Sequence, residues 1–184
     1  MSDSNPTWNP EEDYPYPLMM SGAGLFKYPD RPDVDSVLPY VDLAVVGSIT
    51  LQERKGNTVR VLGGQLEYFD DPDYSVNNLG MPNSGVDNVG PARSPKLVAS
   101  IAGFNVDEYV ELYERFRTWG AGVEFNCGCP NTDKRVMCFN IDAMDSFLSQ
   151  CPPRDGIVGI KVSPYSDKHQ LREVASMFND HAGL

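Results

Sequence analysis

The sequence is short of positive charge, of long apolar runs and of dispersed cysteines, and each shortage argues against a class of protein. It holds 15 lysine and arginine residues against 26 aspartate and glutamate residues, which gives a net charge of −11. Because nucleic acids and anionic membranes repel acidic proteins, we expect neither to be a partner. No apolar run approaches the ~18 residues of a membrane-spanning helix, so the sequence predicts no membrane segment.

The cysteines are few and crowded into one stretch, at positions 127, 129, 138 and 151. A secreted disulfide framework is usually denser and more evenly spread. Their spacing does not match the paired Cys-x-x-Cys pattern of zinc sites, and no histidine lies nearby. We therefore expect reduced thiols in a cytoplasmic protein, and no metal.

The first residues, 1–16, are acidic and proline-rich, unlike a signal or transit peptide. We interpret them as a flexible lead-in to one domain, residues 17–184. A chain of 184 residues with 41% apolar content is long enough to bury a sizeable core in that domain.

Strand-like and helix-like segments alternate along this domain. Short apolar runs predict strands at residues 42–50, 96–103, 121–126 and 156–164, and residues 16–24 predict a buried strand that ends in a tight loop at its glycines. Helical patterns, with Asn105 or Asp107 as a candidate cap, predict helices at residues 34–41, 105–120, 142–150 and 167–181. This alternation is typical of α/β proteins built on a parallel sheet. Both an open doubly wound sheet and about half of a TIM barrel fit, since a full barrel needs roughly 250 residues.

A long, loop-rich excursion, residues 51–95, interrupts the alternation. Within it, residues 59–64 and 65–71 are predicted to pair as a small hairpin.

Side chains suited to chemistry follow the predicted strands directly, where both architectures bind ligands. Cys129 lies on a loop after the strand 121–126, and a thiol with a reference pKa of about 8.5 can take a proton from carbon. Asn126 and Asn131 flank it with amides, which suit a planar ligand carrying both carbonyl and N–H groups. By strand register, Cys127 points away from the ligand side. Lys161 ends an apolar strand, either to meet an anionic or polar ligand or to reach water at the sheet rim.

Six motifs in register resemble the class 1 dihydroorotate dehydrogenases, from about residue 17 onward. They read MMSGAG, GSITLQERKGN, NNLGMPNSG, SIAG, VEFNCGCPNT and GIKVSPYSD. The resemblance implies the first half of an FMN-binding TIM barrel, from a cytoplasmic homodimer that oxidises dihydroorotate to orotate. In the cysteine-base subclass, which uses fumarate as acceptor, Cys129 would take a proton from C5 of the substrate while hydride leaves C6 for the flavin.

The resemblance also assigns binding roles. Substrate would be held by Asn77, Asn126 and Asn131 and by the backbone of Leu79, Gly80 and Met81. FMN would be lined by Ser21, Gly22, Ser48, Asn126 and Lys161.

The sequence departs from the family pattern at three points. Gly47 stands where the family has a lysine that contacts flavin and substrate. Residues 86–93 are too short and too rich in glycine and proline for the helix that the family carries there. The family's later strands, which bring its flavin phosphate site, would follow the last helix of this sequence.

Two alternative functions fit some of these features. The motif FNCGCP also resembles the cysteine loop of tRNA-dihydrouridine synthases, although the acidic charge argues against a tRNA partner. A non-catalytic remnant that binds a partner through an open sheet edge would accommodate all three departures.

Overall fold

The computed structural model describes residues 19–26, 32–57, 66–68, 75–77, 79–130, 136–154, 156–165 and 167–181. The lead-in expected at residues 1–16 lies outside these ranges, as does Asn131. Asn77 lies within a strand, but its side chain falls outside what the structure describes.

The main sheet is parallel and follows the order of the chain. The described strands are β1 (Ala44–Ile49), β2 (Leu66–Tyr68), β3 (Ser75–Asn77), β4 (Leu97–Ile101), β5 (Gly122–Asn126) and β6 (Ile157–Lys161). Four of them form the sheet in the order β1-β4-β5-β6, with every pair parallel. A doubly wound sheet reverses its order at a switch point, whereas a barrel adds each new strand beside the last. The architecture is therefore that of β/α barrel units, as expected.

Four α-helices are described, and most begin at a side-chain cap. They are α1 (Pro32–Val37), α2 (Val106–Phe116), α3 (Ile141–Gln150) and α4 (Lys168–Asp180). Asn105 caps α2 by accepting from the backbone N–H of Glu108, and Asn140 and Asp167 cap α3 and α4 in the same way. Between residues 79 and 96 the chain makes only a short 3-10 turn, Val86–Asn88, so the missing crossover helix is confirmed for this stretch.

The core lies between the outer face of the sheet and helices α2 and α3. The ring of Tyr109 stacks on that of Phe147 with centroids 4.6 Å apart, and Phe125 contacts both rings. Because side chains alternate along a strand, Val123 and Phe125 enter this core while Glu124 and Asn126 point to the inner face. The central strand thus separates an apolar layer from a polar one.

The first predicted strand is wrong for the residues described. In place of a strand, the chain makes isolated bridges from Met20 to Leu43 and from Phe26 to Val46, and the side chains of Met19 and Met20 are exposed. Between the bridges, Gly24 has a φ of 99°, outside the extended range. Because this turn interrupts the apolar run, the segment lies alongside β1 but does not form a continuous ladder of hydrogen bonds with it.

The predicted hairpin exists, but with a different pairing. Strand β2 pairs antiparallel with β3, and the expected partner, residues 59–64, lies outside the described part of the chain. The stretch between β2 and β3, residues 69–74, contains aspartates and a proline, which favour a turn. Turn-forming residues therefore indicate the hairpin better than the apolar run does.

Tyr109 links the core to the end of the central strand. Its hydroxyl, buried, donates a hydrogen bond to the backbone oxygen of Asn126 at 2.8 Å. We expect Tyr109→Phe to lower the free energy of unfolding by about 1–2 kcal/mol, because a buried carbonyl loses its partner. Urea denaturation followed by circular dichroism measures the change.

The matched control is Tyr40→Phe, which removes a hydroxyl from a residue that is 78% exposed. It should leave the denaturation midpoint unchanged. Equal midpoints for the wild type and both variants would show that the Tyr109 bond contributes nothing.

Candidate active site

A cleft of about 360 Å³ opens at the carboxyl ends of the parallel strands. It is lined by residues at the ends of β1, β5 and β6 and in neighbouring loops, namely Ala23, Gly24, Gly47, Ser48, Leu79, Gly80, Met81, Pro82, Asn126, Gly128, Cys129, Pro130 and Lys161. Its size is within the range of small-molecule sites. A wider depression of about 470 Å³ lies at the amino ends of β4 and β5, where barrels do not place their chemistry.

Cys129 reaches the cleft because its loop is fastened to the exit of β6. Ser163 donates a hydrogen bond from Oγ to the backbone oxygen of Gly128 at 2.8 Å. A Cβ at position 128 would lie 2.4 Å from the backbone nitrogen of Ser163, so only glycine fits there. This close approach turns the chain and leaves the Cys129 thiol half-buried in the cleft wall.

Cys127 is excluded from the cleft, as its strand register predicted. Its side chain is 1% exposed and packs in the apolar core. Burial raises the pKa of the Cys127 thiol to about 12, so it stays protonated at neutral pH. Burial likewise raises the pKa of Cys151 to about 12. Cys138 is also buried, which leaves Cys129 as the accessible thiol of the four.

Asn126 lines the cleft, and its amide is held by three neighbours. The Nδ2 group donates to Ser48 Oγ on β1 and lies 3.7 Å from the sulfur of Met81. Oδ1 accepts weakly from the backbone N–H of Gly128 at 3.4 Å. These contacts hold the side chain in one orientation, with its amide available to a flat polar ligand.

Gly47 and Ser48 both line the cleft because β1 is irregular there. The register against β4 shifts between Gly47 and Ile49, so two successive residues reach the inner side. Gly47 has a φ of 131°, and a Cβ there would lie 2.4 Å from the backbone oxygen of Ser100. This backbone therefore has no space for a lysine at position 47.

Hydrogen bonds from the Asn83 side chain hold the loop that carries Leu79, Gly80 and Met81. The buried Asn83 side chain accepts from the N–H groups of Thr50 and Gly85 and donates to the backbone oxygen of Met81 at 2.9 Å. Met81 adopts a φ of 56°, which a non-glycine residue keeps only when its surroundings fix it. The loop is thus a fixed wall of the cleft.

Lys161 closes the other side of the cleft, at the end of β6. Its Nζ lies 3.5 Å from the Glu124 carboxylate on β5. The Glu124 carboxylate in turn accepts a hydrogen bond from Ser100 Oγ at 2.7 Å. Among the described cleft-lining residues, Lys161 is the one cationic side chain.

Seven of the residues singled out from the sequence line this cleft together, namely Ser48, Leu79, Gly80, Met81, Asn126, Cys129 and Lys161. Ser21 and Gly22 do not line it, because Ser21 Oγ accepts from the backbone N–H of Val45 while Ala23 and Gly24 form the wall. The sequence reasoning assigned no binding role to five lining residues, namely Ala23, Gly24, Pro82, Gly128 and Pro130. For the last four, the glycine and proline content of the motifs was the available signal.

Comparisons with known proteins identify one family for this chain. The family model for dihydroorotate dehydrogenase matches residues 8–184. The fumarate-type dihydroorotate dehydrogenase of Trypanosoma brucei brucei is 30% identical over 147 residues, covering 72% of this chain and 45% of that protein. The catalytic subunit of the NAD(+)-type dihydroorotate dehydrogenase B of a Thermoanaerobacter species is 31% identical over 118 residues, covering 59% and 38%.

A solved structure shares the fold. The dihydroorotate dehydrogenase of Eimeria tenella, crystallised in complex with ferulenol, superposes with a TM-score of 0.70 at 15% identity, covering 89% of this chain and 54% of that one. The chain spans less than half the length of these curated relatives, 45% and 38%. Since the family model matches nearly all of the sequence, the chain belongs to the dihydroorotate dehydrogenase family.

Proposed function

We propose that this chain carries the catalytic cleft of an FMN-dependent enzyme that oxidises dihydroorotate to orotate in pyrimidine synthesis. The observation that carries the proposal is the meeting of the Cys129 thiol, the Asn126 amide and the Lys161 ammonium in one cleft. A proton acceptor, a pyrimidine-binding amide and a cation are the groups that this oxidation needs. As the resemblance implies, the enzyme would act as a cytoplasmic homodimer.

The residues present fit a flavin. Gly24 and Gly47 line the cleft without side chains, and a Cβ at Gly24 would meet nothing within 4 Å, which leaves space beside this wall for a ring. Ser48, Asn126 and Lys161 would hold the ring by its polar edge. When bound, FMN supplies the hydride acceptor of the reaction.

Cys129 is proposed to remove the proton. As a thiolate, its sulfur would take the proton from C5 of dihydroorotate while C6 gives up a hydride, so that the C5–C6 bond becomes the double bond of orotate. Its place in the cleft wall, with Asn126 beside it, supports this role. Asn77 and Asn131 remain proposed ligands of the same pyrimidine, with the loop of Leu79 and Met81 beneath it.

Lys161 is proposed to stabilise the charge that develops as hydride leaves. The family lysine at position 47 is absent, and the backbone of Gly47 has no space for it. The positive charge at this site therefore falls to Lys161 among the described lining residues. A fixed cation in a partly dry cleft stabilises an anionic ring more strongly than one in water.

The base assignment predicts a selective loss of turnover. We expect Cys129→Ser to lower the rate of dihydroorotate oxidation by about a hundredfold or more, because a serine hydroxyl is a far weaker base than a thiolate. Flavin content should stay at the wild-type level. Stopped-flow reduction of bound flavin by dihydroorotate measures the step.

The control for this change is Cys127→Ser, two residues away on the core side. It should leave the rate of flavin reduction within about threefold of the wild type, since Cys127 does not face the cleft. Unchanged turnover in Cys129→Ser would remove Cys129 from the mechanism.

The four thiols should differ sharply in reactivity. At pH 8, iodoacetamide is expected to label Cys129 first, because Cys127 and Cys151, with pKa values near 12, hold almost no thiolate there. Peptide mass spectrometry reads each site separately. Orotate should slow the labelling of Cys129 alone, and labelling of Cys127 at an equal rate in the folded protein would contradict the assignment.

A further inference from the structure

Glu124 takes no part in the proposed chemistry, yet it lies directly beneath the cleft. Its side chain is only 14% exposed, on the same inner face of β5 as Asn126. Removing a carboxylate from water is costly unless partners compensate it. The contacts of the Glu124 carboxylate therefore indicate its structural role.

The first partner is the Lys161 ammonium, 3.5 Å from the carboxylate. In the sheet register Lys161 lies beside Asn126, and Glu124 lies beside Gly159. Because Gly159 has no side chain and a Cβ there would meet nothing within 4 Å, the lysine can lean over that space toward Glu124. The pair holds the ammonium at the cleft instead of in solvent, although the Lys161 side chain as a whole is 39% exposed.

The second partner starts a chain of hydrogen bonds across the sheet. Ser100 Oγ on β4 lies 2.7 Å from the carboxylate and 3.2 Å from Ser48 Oγ on β1. A carboxylate can only accept, so Ser100 donates to Glu124 and accepts from Ser48. Ser48 then accepts from the Asn126 amide. Because the Glu124 carboxylate can only accept, it fixes which group donates and which accepts in each hydrogen bond of this series.

We propose that Glu124 is a positioning residue of the cleft, which holds Lys161 on one side and orients the Asn126 amide through Ser100 and Ser48 on the other. In this arrangement a single carboxylate supports both Lys161 on β6 and Asn126 on β5. This inference rests on the proposed function for its consequence, since Lys161 and Asn126 are the groups proposed to bind flavin and pyrimidine. Its geometry is independent of that function.

Reductive methylation of lysines tests the first arm without any ligand. In Glu124→Gln the ammonium loses its carboxylate, and we expect Lys161 to be methylated about two- to fivefold faster than in the wild type, as for loss of a partly exposed ion pair. Quantitative peptide mass spectrometry reads the rate at Lys161. Glu124→Asp, which keeps the charge but withdraws it by one methylene, should give a smaller rise.

The control is Glu114→Gln, the same change of charge at a solvent-exposed helix position where Glu114 pairs with Arg117. It should leave the methylation rate of Lys161 unchanged. A folded Glu124→Gln variant with the wild-type rate overturns the proposal. If circular dichroism shows that this variant is unfolded, the decision falls to Glu124→Asp, where a rate no higher than in the wild type overturns it.

Orotate binding tests the second arm. Ser100→Ala interrupts the hydrogen-bond chain but keeps the ion pair, so it should weaken orotate binding about three- to tenfold and leave methylation of Lys161 unchanged. Unaltered orotate affinity in Ser100→Ala would remove the chain from the proposal. A wild-type protein that binds neither FMN nor orotate would instead overturn the proposed function, while the methylation result would still decide the role of Glu124.

Discussion

The alternation of side chains along β5 is the constraint on which the fold and the site both depend. Val123 and Phe125 fill the aromatic core against α2 and α3, while Glu124 and Asn126 face the cleft. A shift by one residue would put a carboxylate among the aromatic rings and remove the amide from the site. The hydroxyl of Tyr109, bonded to the backbone of Asn126, joins the two layers at the point where the strand ends.

The same alternation explains which parts of the fold and the site could be predicted from the sequence. Strands and helices with a strong apolar pattern, such as β5 and α2, were predicted correctly, and so was the direction of Cys127 away from the cleft. The first strand was not, since glycine turns interrupt its apolar run beside β1. Glu124 gave no signal, because its partners Lys161 and Ser100 lie on other strands and only the sheet register brings the three together.

The backbone of Gly47 limits which side chains can enter the cleft. Its backbone conformation brings it against β4 so closely that no side chain fits, and the cleft is left with Lys161 as its described cation. A single cation gains importance in a cleft of an acidic protein, because the net charge of −11 repels anionic ligands. The ion pair with Glu124 keeps that cation in place. The cleft therefore depends on β5 and β6, which carry Glu124 and Lys161.

The central proposal is that the cleft binds a flavin and a pyrimidine side by side. The most direct test is the visible absorbance spectrum of the purified protein, incubated with FMN, freed of excess FMN and then titrated with orotate. We expect a retained flavin band near one FMN per chain and a saturable shift of that band as orotate stacks beside the ring. A protein that retains no flavin, or a flavin band that orotate leaves unmoved, would contradict it.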